Sequence, residues 1–284
     1  MIGFNENDVK LLRCPTCREK LEWKGTEHRD GRLFYGALIC MHNHTWRVES
    51  GIPNLADRQR LSTKDQLMDM VYKFLAPIHD LSVTYLLPVL QYPDAQASRY
   101  NYIQAMELDG WDESDGPKKI LEVGVGTGAN IPLIAHAAQN TNDLEIWAVD
   151  LNANMVEICA RSNADMCKDD SSLRLALADA HELPFADSTF DRVLHVGGIN
   201  IYRNAAQGLA EMARVAKPGT PIVVVDEGLD KTRDNTFLHE LAFLWLTSMD
   251  EFTGAPEDLV PTDCYVVSVK NVMRFYYCMV YEKK

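Results

Sequence analysis

The chain has 284 residues, 46% of them hydrophobic, which is enough for a sizeable core in one large domain or two smaller ones. Its formal net charge of −13 disfavours a nucleic-acid substrate, because an acidic surface repels phosphate backbones. The longest apolar runs are too short to span a bilayer, and residues 1–8 show no signal peptide, so we expect a cytoplasmic protein without a membrane span.

Residues 1–55 are predicted to form a small metal-binding domain. Two cysteines spaced by two residues can both bind one tetrahedral zinc, and a cysteine with a histidine would complete the ligand set. The expected ligands are Cys14, Cys17, Cys40 and His44, with His42 as the alternative to His44. In a reducing compartment zinc is a better expectation than disulfides, and a structural zinc would supply folding energy that a short segment lacks. Reduced, unliganded cysteines are the alternative.

Residues 56–115 are predicted to form a helical segment. Five apolar side chains recur there at three- and four-residue spacing, which places them on one buried helix face: Leu67, Met70, Val71, Phe74 and Leu75. Pro77 and Pro88 divide the region into separate helices, since proline removes a backbone donor and clashes with the preceding turn.

From residue 116 to residue 284, short apolar strands alternate with helices, which indicates a parallel sheet wound in βαβ units. Strands are predicted at residues 119–125, 144–149, 173–178, 190–196 and 221–226, and helices at residues 152–161, 205–216 and 235–249. Two last apolar runs, 265–270 and 274–281, are close enough to pair as an antiparallel hairpin. The predicted fold class is therefore α/β, with a seven-stranded, mostly parallel sheet and helices on both faces.

A glycine-rich turn, within the sequence ILEVGVGTGAN of residues 120–130, joins the first strand to the next helix. Such a turn alone is a weak signal: Gly124, Gly126 and Ala129 fit the dinucleotide pattern G-x-G-x-x-G/A, and a purely structural turn is also compatible. Glu122 separates these interpretations. A carboxylate two residues before the first glycine would receive a cationic ligand group and would oppose a pyrophosphate.

Two further acidic residues follow the next strands. Asp150 is placed like the residue that binds ribose hydroxyls in several cofactor classes, and Asp179 could accept a hydrogen bond from an adenine amino group. Three carboxylates around one glycine turn favour a cofactor that carries both a nucleoside and positive charge. S-adenosylmethionine (SAM) is such a cofactor.

Five segments in this order resemble the motifs of class I SAM-dependent methyltransferases. They are residues 121–128, 148–155, 178–185, 190–194 and 211–219. The resemblance implies a Rossmann-like sheet in which the glycine turn contacts the methionine moiety of SAM, Asp150 the ribose, and Asp179 with Ala180 the adenine. Met155 would pack beside the adenine or ribose, with plain helix core as the alternative. The expected cofactor-binding residues are Tyr72, Glu122, Gly124, Gly126, Gly128, Asp150, Leu151, Met155, Asp179, Ala180 and His195.

Two segments before the sheet resemble parts of different methyltransferase families. Residues 69–80 resemble the helix that closes over the cofactor in ubiquinone- and menaquinone-biosynthesis methyltransferases, which implies that Tyr72 and His79 lie near the site, although His79 replaces the usual tyrosine. Residues 14–44 resemble the zinc domain of bacterial rRNA guanine methyltransferases. They contain a hairpin-like insert at residues 23–35 that weakens any transfer of RNA specificity.

The candidate catalytic residues are His195, after the fourth strand, and Asp226, at the end of the fifth. Either could remove a proton from an acceptor, and His195 has the more suitable unperturbed pKa. We therefore predict methyl transfer from SAM to a small-molecule acceptor, such as an aromatic, quinone-like or secondary metabolite. An rRNA or tRNA base methyltransferase that holds RNA with its zinc domain is the first alternative. A non-catalytic SAM-binding scaffold is the second.

Overall fold

The computed structural model describes residues 3–29, 31–57, 95–109, 117–139, 141, 143–165, 173–248 and 250–284. Most of the predicted helical segment, including Tyr72 and His79, lies outside these residues. The described residues contain a four-stranded sheet and a seven-stranded sheet. None of the described helices is both long enough and apolar enough to cross a membrane.

The four-stranded sheet is antiparallel and lies in the cysteine-rich segment. It follows a short helix, and its strands pair in the order of the chain. The elements are α1 (Glu6–Val9), β1 (Leu21–Arg29), β2 (Arg32–Cys40), β3 (Thr45–Glu49) and β4 (Ile52–Pro53). Side chains of β3 alternate between exposed and buried, as expected for a strand with one face on a core. The β1–β2 pair confirms the hairpin predicted at residues 23–35.

The seven-stranded sheet has the strand order β10-β11-β9-β8-β5-β6-β7. Its strands are β5 (Lys118–Val123), β6 (Leu144–Asp150), β7 (Leu173–Leu177), β8 (Arg192–Val196), β9 (Ile222–Glu227), β10 (Cys264–Met273) and β11 (Tyr276–Lys283). The first five are parallel, and β11 runs antiparallel between β9 and β10. The predicted α/β fold with its C-terminal hairpin is confirmed.

The helices around the large sheet are α2 (Ala95–Gln104), α3 (Ile131–Ala137), α4 (Ala153–Ser162), α5 (Ala205–Val215) and α6 (Phe237–Leu246). The predicted helices 152–161 and 205–216 agree with α4 and α5 to within one residue. The helix predicted at 235–249 is shorter. Thr236 caps its first turn by accepting a hydrogen bond from the His239 N–H, which fixes where the helix begins.

Two apolar cores cover the two faces of the large sheet. On one face, Ile120 and Ile146 pack with residues of α2, α3 and α4. On the other face, the core contains Leu121 and Trp147 together with α5 and the cysteine-rich segment. The Phe4 ring meets the Trp147 ring edge-on at a centroid distance of 5.3 Å. The four-stranded sheet therefore shares its apolar core with the large sheet.

Candidate functional site

The strand order places a crevice at the carboxyl ends of the parallel strands. β5 pairs with β6 on one side and with β8 on the other, so the loops after β5 and β8 leave in opposite directions. Ligands of open α/β sheets bind in the crevice at such a point. The predicted residues at these strand ends are Glu122, Asp150, Asp179, His195 and Asp226.

The glycine turn after β5 has a backbone that favours glycine. Gly126 and Gly128 have φ angles of +53° and +80°, in the left-handed region. A Cβ at Gly128 would lie 2.5 Å from the Cys159 sulfur, so only glycine fits there. A Cβ at Gly126 would meet no heavy atom of the described residues within 4 Å. The turn is thus packed against α4 at one glycine and open to a ligand at another.

Glu122 is a buried carboxyl group whose second oxygen is available. The Tyr102 hydroxyl donates to Asn130 Oδ1 at 2.7 Å, and the Asn130 amide donates to Glu122 Oε1 at 2.7 Å. Glu122 Oε2 has no hydrogen-bond partner within the described part of the chain. Burial raises the pKa of Glu122 to about 8. A cationic group brought beside this oxygen would therefore satisfy a buried acceptor and favour its ionised form.

Tyr102 and Asn130 were not predicted from the sequence. Asn130 ends the glycine motif and occupies the N-cap position of α3, but its side chain makes no cap hydrogen bond there. It binds Glu122 instead. Tyr102 lies on α2, and no local sequence signal connects it with residue 130.

Asp150 joins the glycine turn to the start of α4. Its Oδ2 accepts the Gly126 N–H at 2.9 Å and its Oδ1 accepts the Asn152 N–H at 2.8 Å. Leu151 follows directly and is half-buried. Met155, on the first turn of α4, is also half-buried, whereas Val156 and Cys159 form the buried face of that helix. Both predicted neighbours of the nucleoside thus lie outside the helix core.

Asp179 follows β7 and is held by two basic side chains. Its Oδ1 accepts the backbone N–H of His181 and contacts that ring at Nδ1, 2.6 Å away, and its Oδ2 accepts from Arg203 at 2.6 Å. Burial opposes ionisation, but these hydrogen bonds outweigh it and lower the pKa of Asp179 to about 2. Asp179 is therefore a fixed anion beside Ala180. Arg203 was not predicted from the sequence.

His195 is fully buried against the glycine turn. Its Nδ1–H donates to the Val123 carbonyl at 2.8 Å, which leaves Nε2 as the unprotonated nitrogen. That Nε2 has no hydrogen-bond partner among the described residues. Burial lowers the pKa of His195 and keeps the ring neutral. The His195 ring also lies 5.2 Å from the Tyr202 ring, centroid to centroid.

Asp226 is fully buried and accepts three backbone hydrogen bonds. Gly198 and Asn200 donate to Oδ2 at 3.0 and 2.9 Å, and Glu227 donates to Oδ1 at 3.0 Å. These bonds fix the turn after β8. Both carboxylate oxygens of Asp226 are thus engaged by backbone donors, and the predicted role of base stays a prediction.

The cysteine–histidine cluster brings together Cys14, Cys17, Cys40 and His44, and all four ligand atoms lie within 4.8 Å of one another. His44 Nδ1 is 3.5 Å from Cys14 Sγ and 3.4 Å from Cys40 Sγ, and the sulfurs of Cys17 and Cys40 are 3.7 Å apart. Tetrahedral zinc with Zn–S bonds of about 2.3 Å separates its ligands by similar distances. The donor set therefore fits zinc, with His44 in the cluster and not His42.

Comparisons with known proteins agree with this geometry. Residues 120–219 match the family model described as a methyltransferase domain. The ubiquinone/menaquinone biosynthesis C-methyltransferases UbiE of Burkholderia mallei and Burkholderia thailandensis are 36% identical over 108 residues, which are 38% of this chain and 42% of each relative. The matched segment is thus less than half the length of these curated relatives.

Two solved structures show the same fold. The [4+2]-cyclase SpnF aligns with a TM-score of 0.51 and 16% identity, covering 66% of this chain and 81% of its own. A geranyl diphosphate methyltransferase with GPP and sinefungin aligns with a TM-score of 0.50 and 12% identity, covering 66% and 78%. The family match assigns a methyltransferase domain to residues 120–219, and the strand order and the glycine turn give it the class I SAM-dependent methyltransferase fold.

Proposed function

We propose that this chain is an enzyme that transfers a methyl group from SAM to a small-molecule acceptor. The observation that carries the proposal is the second carboxylate oxygen of Glu122, a buried acceptor beside an open glycine turn. SAM has a cationic sulfonium and an ammonium group, and it supplies an activated methyl group when bound. A dinucleotide pyrophosphate would place negative charge at the same turn.

The residues of the crevice would divide the binding of SAM between them. Glu122 would receive the positive charge of the methionine moiety. The backbone of Gly126 is open to the ligand, and Asp150 is fixed beside it by hydrogen bonds from the Gly126 N–H and from the N–H of Asn152, the N-cap residue of α4. Asp179 and Ala180 would border the adenine. Such fixed groups align the two reactants for an in-line displacement.

His195 would be the residue that handles a proton at the acceptor. The Val123 carbonyl fixes its tautomer, so that Nε2 is the basic nitrogen, and burial keeps the ring neutral. A neutral imidazole with an unused lone pair can accept a proton from a hydroxyl or an activated ring carbon. Asp226 would hold the turn after β8 and would leave the proton transfer to His195.

The acceptor we favour is an aromatic or quinone-like compound. Two observations support this choice: the matched relatives are named for C-methylation in ubiquinone and menaquinone biosynthesis, and the acidic chain opposes a polyanionic acceptor. The choice does not rest on the fold, which is shared with the [4+2]-cyclase SpnF.

An RNA acceptor is the second candidate, on a separate observation. A cavity of about 590 Å³ lies where the cysteine-rich segment meets the large sheet, and it is lined by Arg13, Arg18, Phe185, Ala186, Asp187 and Arg214. Arginines can bind phosphates. However, Arg18 and Arg214 already pair with Glu211, at 2.9 and 2.8 Å.

The test is methyl transfer from radiolabelled SAM, with a panel of quinols and phenols in one arm and total RNA in the other. The proposal predicts label in the small-molecule arm and its loss in His195→Gln. The matched control is His136→Gln, on the outer helix α3. Label confined to RNA would show that the acceptor is RNA and not a small molecule. SAM binding without turnover in either arm would favour a non-catalytic SAM-binding scaffold.

A further inference from the structure

The loop that carries Asp179 is attached at both ends to the cysteine-rich segment. This loop, residues 178–185, follows β7. Three backbone hydrogen bonds make the attachments: Leu55 N–H to the Leu177 carbonyl at 2.8 Å, Arg13 N–H to the Pro184 carbonyl at 2.9 Å, and Ala186 N–H to the Leu11 carbonyl at 2.9 Å. The position of the loop therefore depends on the segment that contains the cysteine–histidine cluster.

Arg18 directly follows the cluster residue Cys17, and the turn of the cluster sets its direction. Its φ is +63°, in the left-handed region that residues other than glycine rarely adopt. Its N–H donates to the Cys14 carbonyl at 2.8 Å, and the Cys14 N–H donates to the Glu19 carbonyl at 2.8 Å. A metal that binds the Cys14 and Cys17 thiolates would hold this turn closed.

The Arg18 side chain reaches from this turn to the cofactor loop. Its guanidinium donates to the Leu183 carbonyl at 3.1 Å and pairs with Glu211 at 2.9 Å. The Glu211 carboxylate, which is only 10% exposed, accepts the Leu183 N–H at 2.8 Å. Arg18 thus fixes both the carbonyl and, through Glu211, the amide of Leu183, four residues after Asp179.

We propose that metal binding at the Cys14–Cys17–Cys40–His44 cluster strengthens SAM binding, and that Arg18 is the positioning residue that carries this coupling. The inference rests on the proposed function, since it assigns the residue 178–185 loop to the adenine side of a SAM site. Arg214 also binds Glu211 and the Leu183 carbonyl. The cluster, acting through Arg18, therefore fixes the residue 178–185 loop only in part.

Thermodynamic linkage requires the coupling to act in both directions. If metal strengthens SAM binding by some factor, SAM strengthens metal binding by the same factor. A metal that only stabilised the fold would show the same reciprocity, because SAM binds the folded state. The readout that distinguishes a positioning role is therefore SAM binding by zinc-loaded Arg18→Met, in which the metal and the fold are retained.

The experiment is calorimetric titration of SAM into four samples: zinc-loaded protein, chelator-treated protein, and zinc-loaded Arg18→Met and Arg47→Met. Arg47 is the matched control, because it is an exposed arginine of the same segment whose side chain lies 3.9 Å from Glu49. We expect Arg18→Met and metal removal each to weaken SAM binding by roughly tenfold, within the usual range of coupling between sites. Arg47→Met should leave the affinity unchanged.

Two further measurements make the outcomes decisive. Competition with a chromogenic chelator should show zinc held more tightly when SAM is present, and hydrogen exchange at residues 178–186 should rise in Arg18→Met. If zinc-loaded Arg18→Met binds SAM like the unsubstituted protein and its loop amides exchange at the same rate, the inference is wrong and the proposed function stands. If the zinc-loaded protein binds no SAM, the proposed function is wrong, whatever the exchange rates show.

Discussion

The two sheets of this protein are stabilised in different ways. Strands β5 and β9 of the large sheet are buried along almost their whole length, so apolar packing on both faces holds them. In the four-stranded sheet, β3 buries only alternate residues, and the cluster residues Cys40 and His44 lie at the end of β2 and just before β3. The small sheet therefore depends on its ligand atoms and on the core it shares with the large sheet.

The comparison also explains where polar groups are buried. In the large sheet, several buried charged and polar side chains lie at the carboxyl ends of the strands, including Glu122, His195 and Asp226. Burial of an unpaired charge lowers the stability of the folded protein. Buried ionisable groups therefore cluster at functional sites, where they bind or react. Changes at the cysteine–histidine cluster should therefore act mainly on stability, whereas changes of charge at the strand ends should act on cofactor binding.

The largest expected effect comes from the cluster. His44→Ala should destabilise the protein by more than about 3 kcal/mol, because structural zinc sites contribute about 10–16 kcal/mol to the folding of small domains. The loss should be smaller than that full amount, because the four-stranded sheet also shares an apolar core with the large sheet. His42→Ala should have little effect, because the structure leaves His42 outside the cluster. Thermal unfolding and zinc content of the two variants measure the difference. Equal stability of both variants would contradict the assignment.

Glu122→Gln should change the pH dependence of stability. The pKa of Glu122 is raised to about 8 in the folded state, so the folded protein holds a proton there that the unfolded chain releases above its ordinary value of 4.5. Stability conferred by the protonated form is therefore present at low pH and is lost as pH rises towards 8. At about 1.4 kcal/mol per pKa unit, the ceiling of this loss is about 5 kcal/mol.

The glutamine variant carries no such proton. Its free energy of unfolding should exceed that of the unsubstituted protein by an amount that grows between pH 4.5 and 8. Urea denaturation at three pH values measures this growth. A constant difference across the range would show that Glu122 is ionised in the folded protein.

Substitution of two glycines of the same turn should give unequal effects. Gly128→Ala places a Cβ 2.5 Å from the Cys159 sulfur at a φ of +80°, so we expect a loss of about 3 kcal/mol. Gly126→Ala meets no described heavy atom within 4 Å, and only its φ of +53° costs stability, about 1 kcal/mol. The second variant should still weaken SAM binding if the proposed function is right, because the methyl group would fill the space that the proposal gives to the ligand. Chemical denaturation and SAM titration separate the two effects.

At Asp179 we expect a smaller loss than for Gly128→Ala, and one that depends on pH. Because its pKa is lowered to about 2, its ionised form stabilises the fold above the ordinary value of 3.8, and this contribution is lost as pH falls through about 2. Asp179→Asn should therefore cost about 2 kcal/mol at neutral pH and less than about 1 kcal/mol at pH 2.5. Arg203→Met removes one of its partners and should reproduce part of the loss. Denaturation of both variants at pH 7 and pH 2.5 provides the measurement.

Much of the fold was predictable because it rests on local patterns. Alternating apolar runs and helical periodicity located the strands of the large sheet and the helices α4 and α5, and the cysteine spacing located the cluster. The end of a helix was harder to predict. The last long helix is shorter than its apolar pattern at both ends, and the Thr236 cap accounts for its start.

The tertiary contacts of the site were not predictable. Tyr102 reaches Glu122 through Asn130 across 20 positions of the chain, and Arg18 reaches Leu183 across 165. These side chains meet only after the sheet has formed, so no periodicity or spacing marks them. The sequence therefore identified the acidic residues of the strand ends but not the partners that fix them.

The central claim is that the acidic glycine turn binds a cationic nucleoside cofactor. Calorimetric titration of SAM and of NAD into the zinc-loaded protein tests it most directly, with Glu122→Gln as the variant. We predict saturable binding of SAM, no detectable binding of NAD, and SAM binding weakened roughly tenfold or more in Glu122→Gln, since a hydrogen bond to a charged group is worth about 1.5–3 kcal/mol. Binding of NAD in place of SAM, or SAM affinity unchanged by the substitution, would contradict the account.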